Sequence, residues 1–153
     1  MKLDIGCGKK AHKEYKTIDL EEYANPTYLG DFREMTFKDV EVIRTHHLLE
    51  HFTREEGLKV LKLWHLWLKK EGVIVIETPD FQGICKDFDK NPYWMTRHAY
   101  GSQESDWALH KDGWYEAKFV EVLPKLGFEI TEIKHHKTRN RGLPNITIFA
   151  KKI

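Results

Sequence analysis

The chain has 153 residues, enough for one domain around a single buried core. Its 25 Lys and Arg against 24 Asp and Glu leave a formal net charge of +1, which excludes the strong field of a protein built to grip nucleic acid or an anionic membrane. Cys7 and Cys85 make no disulfide framework, no apolar run reaches the roughly 20 residues of a bilayer span, and the N-terminus has no apolar signal region, so the expected location is cytoplasmic.

In chain order, apolar and β-branched runs predict strands over 3–5, 16–20, 28–29 (a weaker run), 41–45, 73–78, 128–134 and 145–150. Runs such as GVIVIETPD are apolar on both faces, the pattern of a buried parallel strand. Between the fourth and fifth runs, THHLLEHFTREEGLKVLKLWHLWLKKEG reads as helix: Thr53 and Glu56 have capping-box spacing, Leu61, Trp64 and Leu68 form one stripe, and Gly72 is the stop. A second helix fits DGWYEAKFVEVLPKLGF, with Phe119, Val120, Leu123 and Leu126 on one face and Pro124 ending or bending it early. The last two strands flank KTRNRGLPN, which has no helical period, and are expected to pair antiparallel. The pattern is one α/β domain over 1–153, an open sheet with helices on its faces.

In LDIGCG a strand runs into Gly6 and Gly8, where the absence of Cβ lets the backbone turn tightly and approach a ligand. Asp19 ends the second strand in KTIDL, where a carboxylate can accept both hydroxyl hydrogen bonds of a ribose. The pair points to a nucleoside-containing cofactor, against the alternative of a purely structural turn.

With these motifs in this order, the chain resembles the class I S-adenosylmethionine-dependent methyltransferases, and more narrowly the small predicted methyltransferases associated with sugar and polysaccharide genes. LDIGCG is similar to their first motif, IDL to the ribose-binding acid, GDFREMTF to the adenine loop, THHLLEHF to the fourth strand and its exit, and HLWLKKEGVIVIETPDF to the next helix and strand. The resemblance implies a Rossmann-like methyltransferase sheet, mostly parallel with an antiparallel C-terminal strand, and S-adenosylmethionine as cofactor. It implies that Asp4, Gly6, Cys7 and Gly8 form the cofactor loop, Asp4 organising it and facing the amino group. Asp19 and Leu20 would meet the ribose, Asp31 the adenine amino group, Phe32 the ring, and His46, His47 and Leu48 the methionine portion. Lys10 stands where the family has a third glycine, and Gly6 and Asp19 are closer together than the usual spacing of about 20, so the first crossover helix is expected to be shortened or absent. That shortening also counts against a dinucleotide, whose pyrophosphate needs a helix N-terminus.

His46, His47, Glu50 and His51 also invite a metal reading, with His47 and His51 four apart on one helical face. The HExxH order of a zinc protease is absent, however, and the expectation is that no metal is bound. His135 and His136, successive on a strand, point to opposite faces. Residues 80–112 follow a core strand, are too long for an ordinary connection, and carry Tyr93, Trp94, His98, Tyr100, Trp107 and His110; they read as a lid or substrate-side insertion, with Trp94 and Trp107 individually better placed as core. The reaction expected is methyl transfer to a hydroxyl or carboxyl of a small molecule or saccharide, because no NPPY-type pattern follows the fourth strand. His110 is the preferred general base and His47 the second choice, since a histidine titrates near working pH without any shift. The alternatives are a nucleic-acid methyltransferase, suggested by the basic KHHKTRNRG, and a non-catalytic module that binds S-adenosylmethionine.

Overall fold

Seven strands hydrogen-bond in the order β3-β2-β1-β4-β5-β7-β6 in the computed structural model, which describes residues 1–9 and 12–153. The strands are β1 (Lys2–Ile5), β2 (Lys16–Asp19), β3 (Tyr28–Leu29), β4 (Val40–His46), β5 (Leu68–Pro79), β6 (Phe128–Lys137) and β7 (Pro144–Lys152). Every neighbouring pair from β3 to β5 is parallel, whereas β7 runs antiparallel to both β5 and β6. The expected antiparallel pairing of the last two strands is therefore present. The helices are α1 (Arg54–Trp67), α2 (Phe81–Asp87), α3 (Pro92–Tyr100) and α4 (Glu116–Lys125).

The core lies between one face of the sheet and α1 and α4. Period-2 alternation sends Leu3, Ile5, Ile43, Ile74, Ile76, Ile148 and Ala150 into it, where they meet Leu61, Trp64, Phe119 and Leu123 in one buried cluster. Each of the Leu, Ile and Phe side chains among them contributes roughly 1.5–3 kcal/mol by leaving water. On the other face Arg44, Val75, Glu77, Thr147 and Phe149 line a shallow open surface with His12 and Tyr15. The described part of the first crossover, residues 6–9 and 12–15, contains no helix, as the short spacing predicts; Lys10 lies outside the described residues.

The start of α1 matches the sequence reading and its end does not. The capping box forms, with Thr53 Oγ1 accepting from the Glu56 amide at 3.3 Å and Glu56 Oε2 from the Thr53 amide at 2.9 Å. The C-terminus comes earlier than Gly72, at Leu68, which is already extended. Lys152, brought in from β7, donates to the carbonyls of His65 and Leu68 at 2.8 Å each and satisfies the helix end. Gly72 is required for space instead, since a Cβ there would sit 2.8 Å from Lys69 O and 3.0 Å from Val40 O. On α4, Val120 is exposed although Phe119 and Leu123 are buried, and Pro124 stands in the last turn.

Candidate cofactor cavity and histidine cluster

Parallel pairing sets the carboxyl ends of β1, β2 and β4 side by side, with Ile5 opposite both Ile18 and Thr45. The chain leaves β1 through Gly6 (φ 69°) and Gly8 (φ 52°), both in the left-handed region that glycine enters without strain. The Gly6 amide donates to Ile18 O at 2.9 Å, and a Cβ on Gly6 would come within 3.3 Å of Leu48. These exits enclose a cavity of about 330 Å³. Of the predicted site residues it is lined by Gly6, Gly8, Asp19, Leu20, Asp31, Phe32, His47 and Leu48.

Asp19 is the organiser of the loop. Its Oδ2 accepts from the Gly8 amide at 2.9 Å and its Oδ1 from the Glu21 amide at 3.0 Å, which leaves each oxygen lone-pair capacity toward the cavity. Asp31 is held by Arg33, whose amide and Nε donate to Oδ1 at 2.9 and 3.0 Å and whose Nη2 donates to Oδ2 at 2.6 Å. That guanidinium keeps the Asp31 carboxyl below its ordinary range. Phe32 packs edge-on to Phe52 and Trp67 and tilted against Trp64, so it belongs to the aromatic core while presenting one side to the cavity.

Four predicted site residues stand outside the lining. Asp4 alternates with Leu3 and Ile5 and so points to the opposite face, where the register places it beside Arg44, its carboxylate 3.7 Å from the guanidinium. Burial raises its pKa, which Arg44 partly offsets; loop organisation falls to Asp19 instead. Cys7 turns its Sγ toward Asp19 Oδ2, at 3.9 Å. His46 shares the open face with Glu77, its register partner on β5, at 2.8 Å. His110 sits behind the lining: its Nδ1 donates to His98 O at 2.9 Å and its Nε2 lies 3.9 Å from Glu50 Oε1. Burial lowers the His110 pKa below that of a free imidazole.

His47 is aimed at the cavity because its φ of 52° breaks the strand alternation. Its Nδ1 meets Glu50 Oε1 at 3.1 Å and its Nε2 lies 3.5 Å from Glu77 Oε1. Burial works against its charge, yet the hydrogen bonds and charges of Glu50 and Glu77 outweigh that and raise its pKa to about 9. Glu50, 2% exposed, is held ionised against its own burial, chiefly by His47. His51 is one turn on, in a short 3-10 segment rather than an α-helix, and its Nδ1 donates to Leu109 O at 3.0 Å. His47 and His51 therefore do not share a helical face.

The cavity has further walls that the sequence reading missed. Tyr23 and Arg33 line it, as do Trp107 and Lys111 from the 80–112 stretch. Trp107 is 53% exposed and forms part of the rim, contrary to its expected place in the core. The only sequence signal was the aromatic density of that stretch, which folds as α2, α3 and two 3-10 turns; the Lys111 amide ties it down by donating to Glu50 O at 2.8 Å. His135 and His136 do part company, the first to Asp80 and Glu116, the second to Thr147 and Glu77.

No protein-family model matches the chain, and no curated protein is similar to it in sequence. Solved structures do match in fold. An S-adenosylmethionine-dependent methyltransferase from Methanosarcina mazei superimposes with a TM-score of 0.70 at 15% identity, covering 99% of this chain and 92% of that one. Magnesium protoporphyrin IX methyltransferase from Synechocystis PCC 6803, with bound S-adenosylhomocysteine, gives 0.70 at 15%, covering 100% and 74%. The 1,6-didemethyltoxoflavin-N1-methyltransferase from Burkholderia thailandensis gives 0.70 at 14%, covering 99% and 70%. The chain has the Rossmann-like fold of these methyltransferases.

Proposed function

We propose that the chain is a methyltransferase that uses S-adenosylmethionine and acts on a hydroxyl or carboxyl oxygen of a small molecule, a saccharide being the narrower expectation. The observation that carries this reading is the cradle at the end of β1 and β2. Two glycines in left-handed conformation leave backbone exposed beside Asp19, whose oxygens keep acceptor capacity, and a Cβ on Gly8 would meet nothing within 4 Å. A volume of about 330 Å³ suits part of a nucleoside-sized ligand. Asp19 would take the ribose hydroxyls, Leu20, Asp31 and Phe32 the adenine side, and Gly6, Gly8, His47 and Leu48 the methionine portion. When bound, S-adenosylmethionine supplies a methyl group already activated on a sulfonium.

The chain's own part is to align the acceptor, exclude water and handle a proton. Trp107 and Lys111 flank the acceptor side, with residues 80–112 serving as its wall. His47, held as an imidazolium, donates hydrogen bonds and is a poor base; His110 stands behind the cavity lining, its Nδ1 tied to His98 O. The magnesium protoporphyrin IX methyltransferase and the 1,6-didemethyltoxoflavin-N1-methyltransferase of the same fold are named for small-molecule acceptors, which supports a small-molecule acceptor here.

Calorimetric titration with S-adenosylhomocysteine tests the cofactor assignment. One equivalent should bind, and Asp19→Asn, which keeps an acceptor for one of the two loop amides, should weaken binding by about 1.5–3 kcal/mol. Absence of binding by the folded wild-type chain, or unchanged affinity in the variant, would sink the reading.

A further inference from the structure

Glu50, His51 and His110 converge although the last is far along the chain, each offering a ligand atom within 4.8 Å of the others. Their hydrogen bonds fix what each presents. A backbone carbonyl only accepts, so His51 Nδ1 at 3.0 Å from Leu109 O and His110 Nδ1 at 2.9 Å from His98 O must both carry the proton. In the neutral tautomer that these bonds select, the Nε2 of each ring is the atom with a free lone pair. This is the arrangement in which outer-sphere carbonyls orient metal-ligating imidazoles. Glu50 Oε1 is engaged by His47, but Glu50 Oε2 is buried with no hydrogen-bond partner. His110 Nε2 and Glu50 Oε1 face each other at 3.9 Å, lone pair to lone pair, a separation within the roughly 4 Å that two metal–ligand bonds span.

We infer that Glu50, His51 and His110 form a binding site for one divalent first-row transition-metal ion. Two imidazole nitrogens and one carboxylate suit such an ion better than magnesium or calcium, which favour all-oxygen sites. His51 lines the cavity while Glu50 and His110 stand behind it, so an ion held by the three would border the cavity. An acceptor oxygen is the complementary ligand there; that use of the ion rests on the methyl-transfer reading, whereas the ion site itself does not.

The test is metal binding without cofactor or acceptor. Chelator-treated protein titrated with Co²⁺ should bind one ion per chain, with visible absorption of low coordination number and two exchangeable imidazole N–H resonances shifted far downfield. His51→Ala, partly exposed and so least disruptive, and Glu50→Gln should each weaken binding by about 100-fold or more. His136→Ala should leave it within about two-fold. Absence of saturable Co²⁺ binding by the wild-type protein would overturn the inference. So would binding that survives His51→Ala but is lost in His46→Ala, because the ion would then sit between His46, His47 and Glu77. S-adenosylhomocysteine affinity, measured separately, reports on the methyl-transfer reading alone.

Discussion

Asp19 takes over the loop-organising role that the sequence suggested for Asp4. Both are acids beside the glycine turn, but strand parity turns Asp4 away to Arg44, while Asp19, as the last residue of β2, faces the Gly8 amide across the gap between adjacent strands. His46 and His47 divide in the same way, because a single left-handed residue ends the alternation. The charge on His47 has a measurable consequence. With its folded pKa raised to about 9 from 6.5, it contributes stability that is fully present below pH 6.5 and is lost as pH rises through 9. The groups facing it are Glu50, Glu77, His46, His98 and His110. Urea unfolding of metal-free protein should show up to about 3 kcal/mol lost across that window. In His47→Gln this slope should vanish, and a persistent slope would mean another group titrates. Glu50 is the same pair seen from the other side, whereas Glu77 is held down first by His46 and then by His47. Their lowered pKa values give stability present above about 4.5 and lost on acidification, of which the part shared with His47 is not an additional sum.

At the level of elements, local signals located the starts better than the ends. Thr53 and Glu56 mark the beginning of α1 because a capping box is satisfied within four residues. The end of α1 is decided by Lys152, whose ammonium arrives only when β7 joins the sheet. Gly72 looked like a helix stop and is a packing requirement. Gly72→Ala should destabilise the protein by about 1–3 kcal/mol, since the atoms its methyl would meet are the backbone carbonyls of Lys69 and Val40, which cannot rotate aside. Thermal unfolding checks this, and an unchanged melting temperature would contradict the packing argument. Val120 was placed on the buried face of α4 by periodicity, yet that face is narrower than the apolar stripe. Its neighbour Phe119 fills the space against Trp114, with ring centroids 4.8 Å apart.

Over the whole molecule, charge is distributed in pairs rather than patches. In the basic stretch that suggested a nucleic-acid partner, His135 is bound to Asp80 and Glu116, Lys137 to Asp87, and Arg141 stacks over Trp94. RNA and duplex DNA at low ionic strength should consequently show no binding that falls steeply with salt; a slope of several log units per log of salt would revive that alternative. No helix among the described residues is long and apolar enough to cross a membrane. By itself the sequence determined the class of sheet, its antiparallel last strand and the absence of a helix from the described part of the first crossover, because hydrophobic period, turn glycines and spacing are local properties of the chain. Only the tertiary structure decided which acid organises the loop, that Trp107 stands at the rim, and that His110 meets Glu50 and His51. Those facts depend on strand register and on where a distant segment docks, and both are set by burial of the whole core rather than by any neighbouring residues.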